Sequence, residues 1–334
     1  MLELPKVQGS SVERGSVLEA RQRKHRGSMP MYHRLSIAAV VVLLLVAGCG
    51  EVEPTAAPVP PTQTPVPSTW RPDISQGTGQ TEPTPTAPSA DGEDLRITIL
   101  YDNYLYDERL ASEWGFSTLV EYNDRVVLFD TGGSATLMDN LHLLGIDPKT
   151  IQAVVLSHEH GDHIDGLLPL LAQAHRPTVY LLPSFPARFR NTVSALTNVV
   201  EVTDSLEIFP GIYTTGQVTG DVSEQALAIR TDKGSVIITG CAHPGIAKMV
   251  KKGRSTLQPG DEVQYAPVAL VVGGFHLAGA SPAQIERVIA DLLSLNVQQV
   301  CPTHCTGDVT IAMFAEAFGE GFIPGGAGKV ITLP

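Results

Sequence analysis

Seven consecutive residues, S-H-E-H-G-D-H beginning at Ser157, concentrate side chains that bind metal ions. They directly follow the apolar run 151–156, which predicts a buried strand. Residues i and i+2 of an extended chain face the same side, so His158 and His160 can present their imidazoles to one metal ion. The spacing therefore predicts a metal site at the end of this strand.

The rest of the segment offers a second set of ligands. Gly161 allows the chain to turn without a Cβ penalty, so Asp162 and His163 can approach from another side, towards a second ion. Imidazole and carboxylate ligands suit zinc, with iron and manganese as alternatives. We therefore predict two divalent metal ions, with zinc as the first choice.

Elements that could position these residues begin after residue 94, where short β-branched runs alternate with amphipathic segments. The predicted strands cover 95–100, 117–121, 125–129, 151–156, 178–182, 227–230, 235–239, 268–272 and 298–300. The predicted helices cover 135–144, 164–174, 282–294 and 310–318, the third with Ser281 as its N-cap and Pro282 in its first turn. The order predicts an α/β sandwich of two sheets flanked by helices.

The charged residues of the sequence indicate which classes of partner the chain can bind. The 334 residues carry a net charge of −12, which becomes −16 once the seven basic and three acidic residues before Cys49 are left out. An acidic surface repels phosphate backbones, so we expect no nucleic-acid partner and a small-molecule substrate instead.

The N-terminal region predicts export. Residues 35–46 are apolar and uncharged, follow Arg34, and are too few to span a bilayer as a helix, but they suit the core of a signal peptide. The tetrapeptide V-A-G-C that ends at Cys49 resembles the bacterial lipobox, whose cysteine carries lipid. The alternative is a short buried helix that ends in cysteine. Lipid attachment would anchor the chain to a bacterial membrane in the cell envelope.

Three regions follow from these patterns. Residues 1–48 form an N-terminal extension and lipoprotein signal peptide, whose polar first part is explained by a start at Met29 or Met31 or by a long basic region. Residues 49–93 are rich in Pro and Thr and predict a flexible, disordered linker. Residues 94–334 form the folded domain.

The metal-ligand segment resembles the signature of the metallo-β-lactamase superfamily. The tetrapeptide F-D-T-G around Asp130 matches an earlier element of that family, whose aspartate typically supports a ligand histidine. The resemblance implies the αββα sandwich, with metal ions at one edge between the sheets.

Other motifs resemble one branch of that superfamily, the group related to 7,8-dihydropterin-6-methyl-4-(β-D-ribofuranosyl)-aminobenzene-5′-phosphate synthase. They are E-W-G-F-S from Glu113, T-G-C-A-H ending at His243, G-G-F-H-L around His276 and P-T-H-C-T-G around His304. The resemblance implies His243 as the third ligand beside His158 and His160. It implies His304 as the third ligand beside Asp162 and His163, and His276 as a ligand or a substrate-contacting acid.

The cysteines leave alternatives open. Cys241 stands where the superfamily usually has a bridging aspartate, so it could ligate, could be merely buried, or could mark a site that binds one ion firmly and another loosely. Cys301 and Cys305 could form a disulfide or remain buried thiols.

The predicted function is hydrolysis of a carbonyl or phosphoryl centre by metal-bound hydroxide. Asp162 would orient this nucleophile, and His276 would position the substrate or protonate the leaving group. Two alternatives remain: a pterin-linked transferase like the archaeal synthase, and a non-catalytic metal-binding lipoprotein.

Overall fold

The computed structural model describes residues 95–257 and 267–333. The predicted signal peptide, the predicted lipid-attachment residue Cys49 and the predicted linker lie outside the described residues, as does the boundary at residue 94. Within the described ranges, no helix is both long and apolar enough to cross a membrane.

The first sheet has seven strands in the described part of the chain. They are β1 Leu95–Asp102, β2 Phe116–Tyr122, β3 Arg125–Phe129, β4 Ala153–Val155, β5 Thr178–Leu181, β6 Val199–Glu201 and β13 Val330–Leu333. Their order across the sheet is β13-β1-β2-β3-β4-β5-β6. Strands β13 to β3 pair antiparallel and β3 to β6 pair parallel. The carboxyl ends of β3 and β4 therefore lie at the same edge.

The second sheet has six strands among the described residues. They are β7 Leu206–Phe209, β8 Ile212–Thr214, β9 Leu227–Thr231, β10 Gly234–Thr239, β11 Val268–Gly274 and β12 Val297–Thr303. The order is β12-β11-β10-β9-β8-β7, antiparallel from β7 to β10 and parallel from β10 to β12. The carboxyl ends of β10, β11 and β12 therefore also meet at one edge.

Seven α-helices of residues 95–257 and 267–333 accompany the sheets. They are α1 Thr136–Leu143, α2 Gly161–Ile164, α3 Leu167–Leu171, α4 Ala187–Ser194, α5 Ile246–Leu257, α6 Pro282–Ser294 and α7 Asp308–Phe318. Helix α6 begins where the sequence predicts it: the backbone N–H of Ser281 donates to Gln284 Oε1 at 2.9 Å, and Pro282 occupies the first turn. Its buried residues Ile285, Ile289 and Leu292 recur at helical spacing, which fixes the face packed on the sheet.

Three apolar clusters define four layers. One lies between the sheets and joins residues such as Val127 and Val155 of the first sheet to Val236 and Val272 of the second. Another packs the second sheet against α5, α6 and α7, and the third packs the first sheet against α1, α3 and α4. Apolar side chains on both faces of each sheet require this burial on both sides. The arrangement is the mixed α/β sandwich of the metallo-β-lactamase fold.

The structure corrects several sequence-based boundaries. The predicted helix 164–174 is wrong as one unit, because Asp165 and Gly166 separate α2 from α3. A Cβ at Gly166 would collide with the backbone oxygen of Thr131, so glycine is required for the chain to pass this close to the end of β3. Strands β6, β7, β8 and β13 and helices α4 and α5 are absent from the prediction. The strand predicted at 298–300 is longer in the structure, and the strand predicted at 151–156 is shorter.

Candidate metal centre

Residues after five strand ends form the candidate site. Asp130 follows β3, and Ala242, His276 and His304 follow β10, β11 and β12 within three residues. All four have positive φ, between 50° and 60°. Such backbone conformations cost of order 1–3 kcal/mol for a non-glycine residue and concentrate at functional sites. The segment that begins at Ser157 follows β4, so both sheets contribute to one cluster.

The residues that follow the strands of the first sheet contact those that follow the strands of the second sheet at Gly240. A Cβ at this position would collide with the hydroxyl of Ser157 and would lie 2.9 Å from Asp130 Oδ2. Glycine is therefore required for the second sheet to approach the histidine segment this closely.

His158, His160 and His243 meet, as the resemblance implies. The ring centroid of His158 lies 4.6 Å from those of both His160 and His243, and His160 lies 4.9 Å from His243. Nε2 of His158 is 3.1 Å from Nδ1 of His160. The three imidazoles thus converge from two different sheets.

Asp162, His163 and His304 form a neighbouring group. Asp162 Oδ2 lies 3.3 Å from His304 Nε2 and 3.7 Å from His163 Nε2. Both imidazoles are buried, whereas the carboxylate is partly exposed. Only the carboxylate of this group is therefore open to solvent.

Asp130 orients the histidine segment from behind. Its carboxylate accepts hydrogen bonds from the backbone N–H and the hydroxyl of Ser157, both at 2.7 Å, and lies 2.7 Å from His163 Nδ1. This leaves Nε2 of His163 facing Cys241 Sγ at 3.2 Å. Ser157 Oγ in turn lies 2.9 Å from His158 Nδ1. Outer contacts of this kind fix the ring orientation of metal-binding histidines.

Glu224 holds the loop that carries Cys241 and His243. Its buried carboxylate accepts hydrogen bonds from four consecutive backbone N–H groups at 2.9–3.0 Å, those of residues 240–243. Oε2 also lies 3.2 Å from His243 Nδ1. Charge-assisted hydrogen bonds are about twice as strong as neutral ones, so this carboxylate fixes both the turn and the imidazole.

The donor set fits divalent metal ions. One ligand atom each from His158, Cys241 and His243 lies within 4.8 Å of the others, and the same holds for His163, Cys241 and His304. Nε2 of His304 is buried and makes no hydrogen bond of regular geometry among the described residues, although Asp162 Oδ2 lies 3.3 Å away. A buried imidazole nitrogen without a regular hydrogen bond is costly unless it binds something, and nitrogen and sulfur donors are ligands of zinc. Cys241 thus stands between both groups, at the place of the expected bridging residue.

The charges of the cluster follow from burial and neighbours. Burial lowers the pKa of His158 well below its usual value, and the adjacent histidines lower it further. Burial would also lower the pKa of His163, but the charge and hydrogen bond of Asp130 outweigh it and raise that pKa. Burial opposes ionisation of Asp162, yet His304 and His163 bring its pKa down to about 2. The carboxylate of Asp162 is therefore ionised at neutral pH.

His276 and the remaining cysteines lie at the second-sheet side. The ring of His276 is exposed and its centroid is 4.4 Å from that of His243. Cys301 and Cys305 are both free and buried. Cys305 points to the Cys241 loop, since its Sγ lies 3.6 Å from Cys241 O. Of the two alternatives for Cys301 and Cys305, the structure has buried thiols.

The sequence prediction misses several supporting residues. Glu224 precedes an apolar strand with no motif around it, so nothing in the sequence marks its buried carboxylate. Oδ1 of Asn103 lies 2.9 Å from Nδ1 of His304, although the two residues are distant in sequence. Trp114 belongs to the E-W-G-F-S motif, but the sequence gives it no role; this exposed residue lies with its ring centroid 4.9 Å from that of His304. Ser157 is recognisable from the sequence, because it directly precedes the histidine segment.

Asp102 is a buried acid beside this site, and its ionisation makes the stability of the fold depend on pH. Burial raises the pKa of Asp102 to about 7, although the backbone N–H of Tyr104 donates to Oδ1 at 2.9 Å. A raised pKa in the folded chain means that this group stabilises the fold at low pH and loses that contribution as pH rises towards 7.

Asp102→Asn should therefore raise the free energy of unfolding at pH 8 by about 3 kcal/mol and change it little at pH 4. Urea unfolding of the full chain and the variant at both pH values measures this. A variant that is less stable than the wild type at pH 8 would contradict the explanation.

The comparisons with known proteins agree with this fold. Residues 115–250 match the family model described as metallo-beta-lactamase superfamily. The chain is 31% identical over 292 residues to 7,8-dihydropterin-6-methyl-4-(beta-D-ribofuranosyl)-aminobenzene-5′-phosphate synthase of Methanocaldococcus jannaschii, covering 72% of this chain and 97% of that protein.

Solved structures show the same architecture. Tm1679, described as a metal-dependent hydrolase of the beta-lactamase superfamily, superposes with a TM-score of 0.59 at 30% identity and covers 71% of this chain and 98% of its own. The metallo-beta-lactamase fold protein YhfI of Bacillus subtilis superposes with a TM-score of 0.55 at 14% identity, over 72% of this chain and all of its own, which shows the fold alone.

Two sheets between helices, with histidines gathered at their strand ends, define a metallo-β-lactamase-fold protein. The chain belongs to the metallo-β-lactamase superfamily, and it resembles the branch of the archaeal dihydropterin-linked synthase.

Proposed function

We propose that the chain is a metal-dependent hydrolase that acts on a carbonyl or phosphoryl centre of a small molecule. The observation that carries the proposal is the convergence of two ligand groups on Cys241, one with His158 and His243 and the other with His163 and His304. With His160 and Asp162 at the rim, these residues would hold two divalent ions, zinc first among the candidates.

A bound divalent ion supplies an acidified water and stabilises negative charge on oxygen. The chain's own contribution is orientation. Asp162 is ionised, partly exposed and 3.3 Å from His304 Nε2, so its carboxylate can accept a hydrogen bond from a water molecule and aim it at the substrate. Asp130, Asn103 and Glu224 keep the imidazoles in place, which lowers the cost of ordering them. The exposed ring of His276 is compatible with ligand and substrate-contact roles.

A transferase is the second candidate, favoured by the 31% identity to the archaeal synthase. Export would separate this chain from cytoplasmic pterin intermediates, and the apolar segment before Cys49 is the reason to expect export. This reasoning supports the hydrolase over the transferase.

The proposal is tested on the full chain purified without chelator. We expect at least about two equivalents of metal by elemental analysis, and chelator-sensitive turnover of at least one chromogenic phosphodiester, lactone or β-lactam. His160→Ala should lose metal and turnover together, whereas His175→Ala, an exposed histidine away from the cluster, should keep both. Metal binding without hydrolysis of any substrate class would favour the transferase, and full activity of His160→Ala without metal would overturn the scheme.

A further inference from the structure

A third group of ligand atoms lies beside the two that define the candidate metal centre. One ligand atom each from Cys241, His276 and Cys305 lies within 4.8 Å of the others. We propose that these three residues bind a thiophilic divalent cation, of the class of zinc and cadmium, at a site that shares Cys241 with the histidine and aspartate cluster.

The donor types argue for a thiophilic ion. Two sulfur atoms and one imidazole nitrogen form a softer set than either neighbouring group, in which Cys241 is the single sulfur donor beside the imidazoles. Zinc bonds of about 2.0–2.3 Å place tetrahedral ligands roughly 3.5–3.8 Å apart. Atoms already within 4.8 Å of one another need only a small contraction to reach that geometry.

The backbone brings the three residues together before any ion binds. Strands β11 and β12 pair in parallel up to Gly274 and Thr303, so the loops that follow them start side by side. The loops are then joined by two hydrogen bonds, from Phe275 N–H to Thr306 Oγ1 at 3.1 Å and from the N–H of residue 278 to Cys305 O at 3.2 Å. A site held by backbone contacts of this kind loses little entropy when it takes up an ion.

Gly274 makes room for the two sulfur atoms. A Cβ at this position would lie 2.7 Å from Cys305 Sγ and 3.2 Å from the Cα of Cys241. Any side chain at residue 274 would therefore displace Cys305 from the Cys241 loop. This close approach is what places the thiol of Cys305 beside that of Cys241.

His276 provides the entrance and the third donor. Both cysteines are buried, at 4% and 6% exposure, whereas His276 is exposed. Its φ of 50° is a conformation that L-residues adopt rarely, and here it turns the chain directly after β11. His276 is therefore a metal ligand here rather than a substrate-contacting acid.

Cadmium titration of the full chain tests the site without measuring turnover. Thiolate-to-cadmium charge transfer absorbs in the near ultraviolet, so the band intensity reports the number of thiolates bound. Cys305→Ser should lose about half of the intensity, because one of two sulfur donors is gone. His276→Ala should keep the intensity but weaken cadmium binding about 10-fold or more.

Cys301→Ser is the matched control, since Cys301 is equally buried on β12 but is not in the three-residue group. Its band should equal that of the wild type. Cys49 is present in every variant and cancels in the comparison. If Cys305→Ser fails to fold, alkylation of the wild type replaces it: cadmium should protect Cys305 from the reagent. An unchanged band in Cys305→Ser, or no protection of Cys305, would overturn the proposal whether or not the chain is a hydrolase.

Discussion

Replacing Glu224 with glutamine is expected to lower the free energy of unfolding by about 3 kcal/mol. In the wild type, Oε1 of Glu224 accepts hydrogen bonds from the N–H groups of residues 240–242. The glutamine amide keeps one oxygen for these N–H groups. It replaces the other acceptor by a donor that faces the N–H and the ring of His243. Glu224→Ala should cost more, because it leaves all four N–H groups, three of them buried, without their acceptor.

Urea unfolding at neutral pH measures both effects, and Glu316→Gln, an exposed glutamate on α7, is the control that should change little. Burial opposes ionisation of Glu224, but His243 and the backbone N–H groups lower its pKa. Its contribution is therefore complete above the pKa of an unfolded glutamate and is lost as pH falls through the lower folded value. Equal stability of Glu224→Gln and the wild type at neutral pH would show that the carboxylate does not hold the loop.

The sequence predicts those parts of the fold that have strong local patterns. Strand β3 and helix α6 have the predicted bounds, because a β-branched run and a capped amphipathic stripe are visible in single segments. Strand β13 is missed since its partner β1 lies more than 200 residues away along the chain. Short strands such as β6 carry too few residues for periodicity to appear.

The residues of the candidate site also divide into those that the sequence predicts and those that it misses. The histidine segment is contiguous, so the sequence alone shows its spacing, and the resemblance adds His243 and His304. Glu224 and Asn103 act through contacts between distant segments, which no local pattern encodes. The packing of Cys305 against the Cys241 loop also depends on tertiary structure, through the pairing of β11 with β12 and the small residue at position 274.

Parallel pairing explains why the donors gather where they do. Carboxyl ends of parallel strands meet at one edge, and ligands of open α/β sheets bind at such edges. Here β3 and β4 of one sheet and β10, β11 and β12 of the other bring their ends together. The positive φ of Asp130, His276 and His304 turns the chain sharply after each strand, so backbone strain is concentrated where the side chains must converge.

If the chain is the proposed hydrolase, Asp162→Ala is expected to reduce kcat by about 10²–10⁴-fold on its substrate. This carboxylate is the acidic member of its group, is ionised at neutral pH, and is partly exposed, whereas the imidazoles of His163 and His304 are buried. In the proposed mechanism, its removal takes away the group that orients water and also one oxygen donor to the metal.

Asp162→Asn separates these two effects, because the amide keeps an oxygen but loses the negative charge. We expect it to retain more metal than Asp162→Ala while kcat stays low. Asp165→Asn, an exposed position on the same segment, is the control and should leave kcat and metal content unchanged. Steady-state kinetics with parallel elemental analysis decides the matter: wild-type kcat in Asp162→Asn would mean that the charge of Asp162 does not act in the reaction, and that the residue serves only to hold metal.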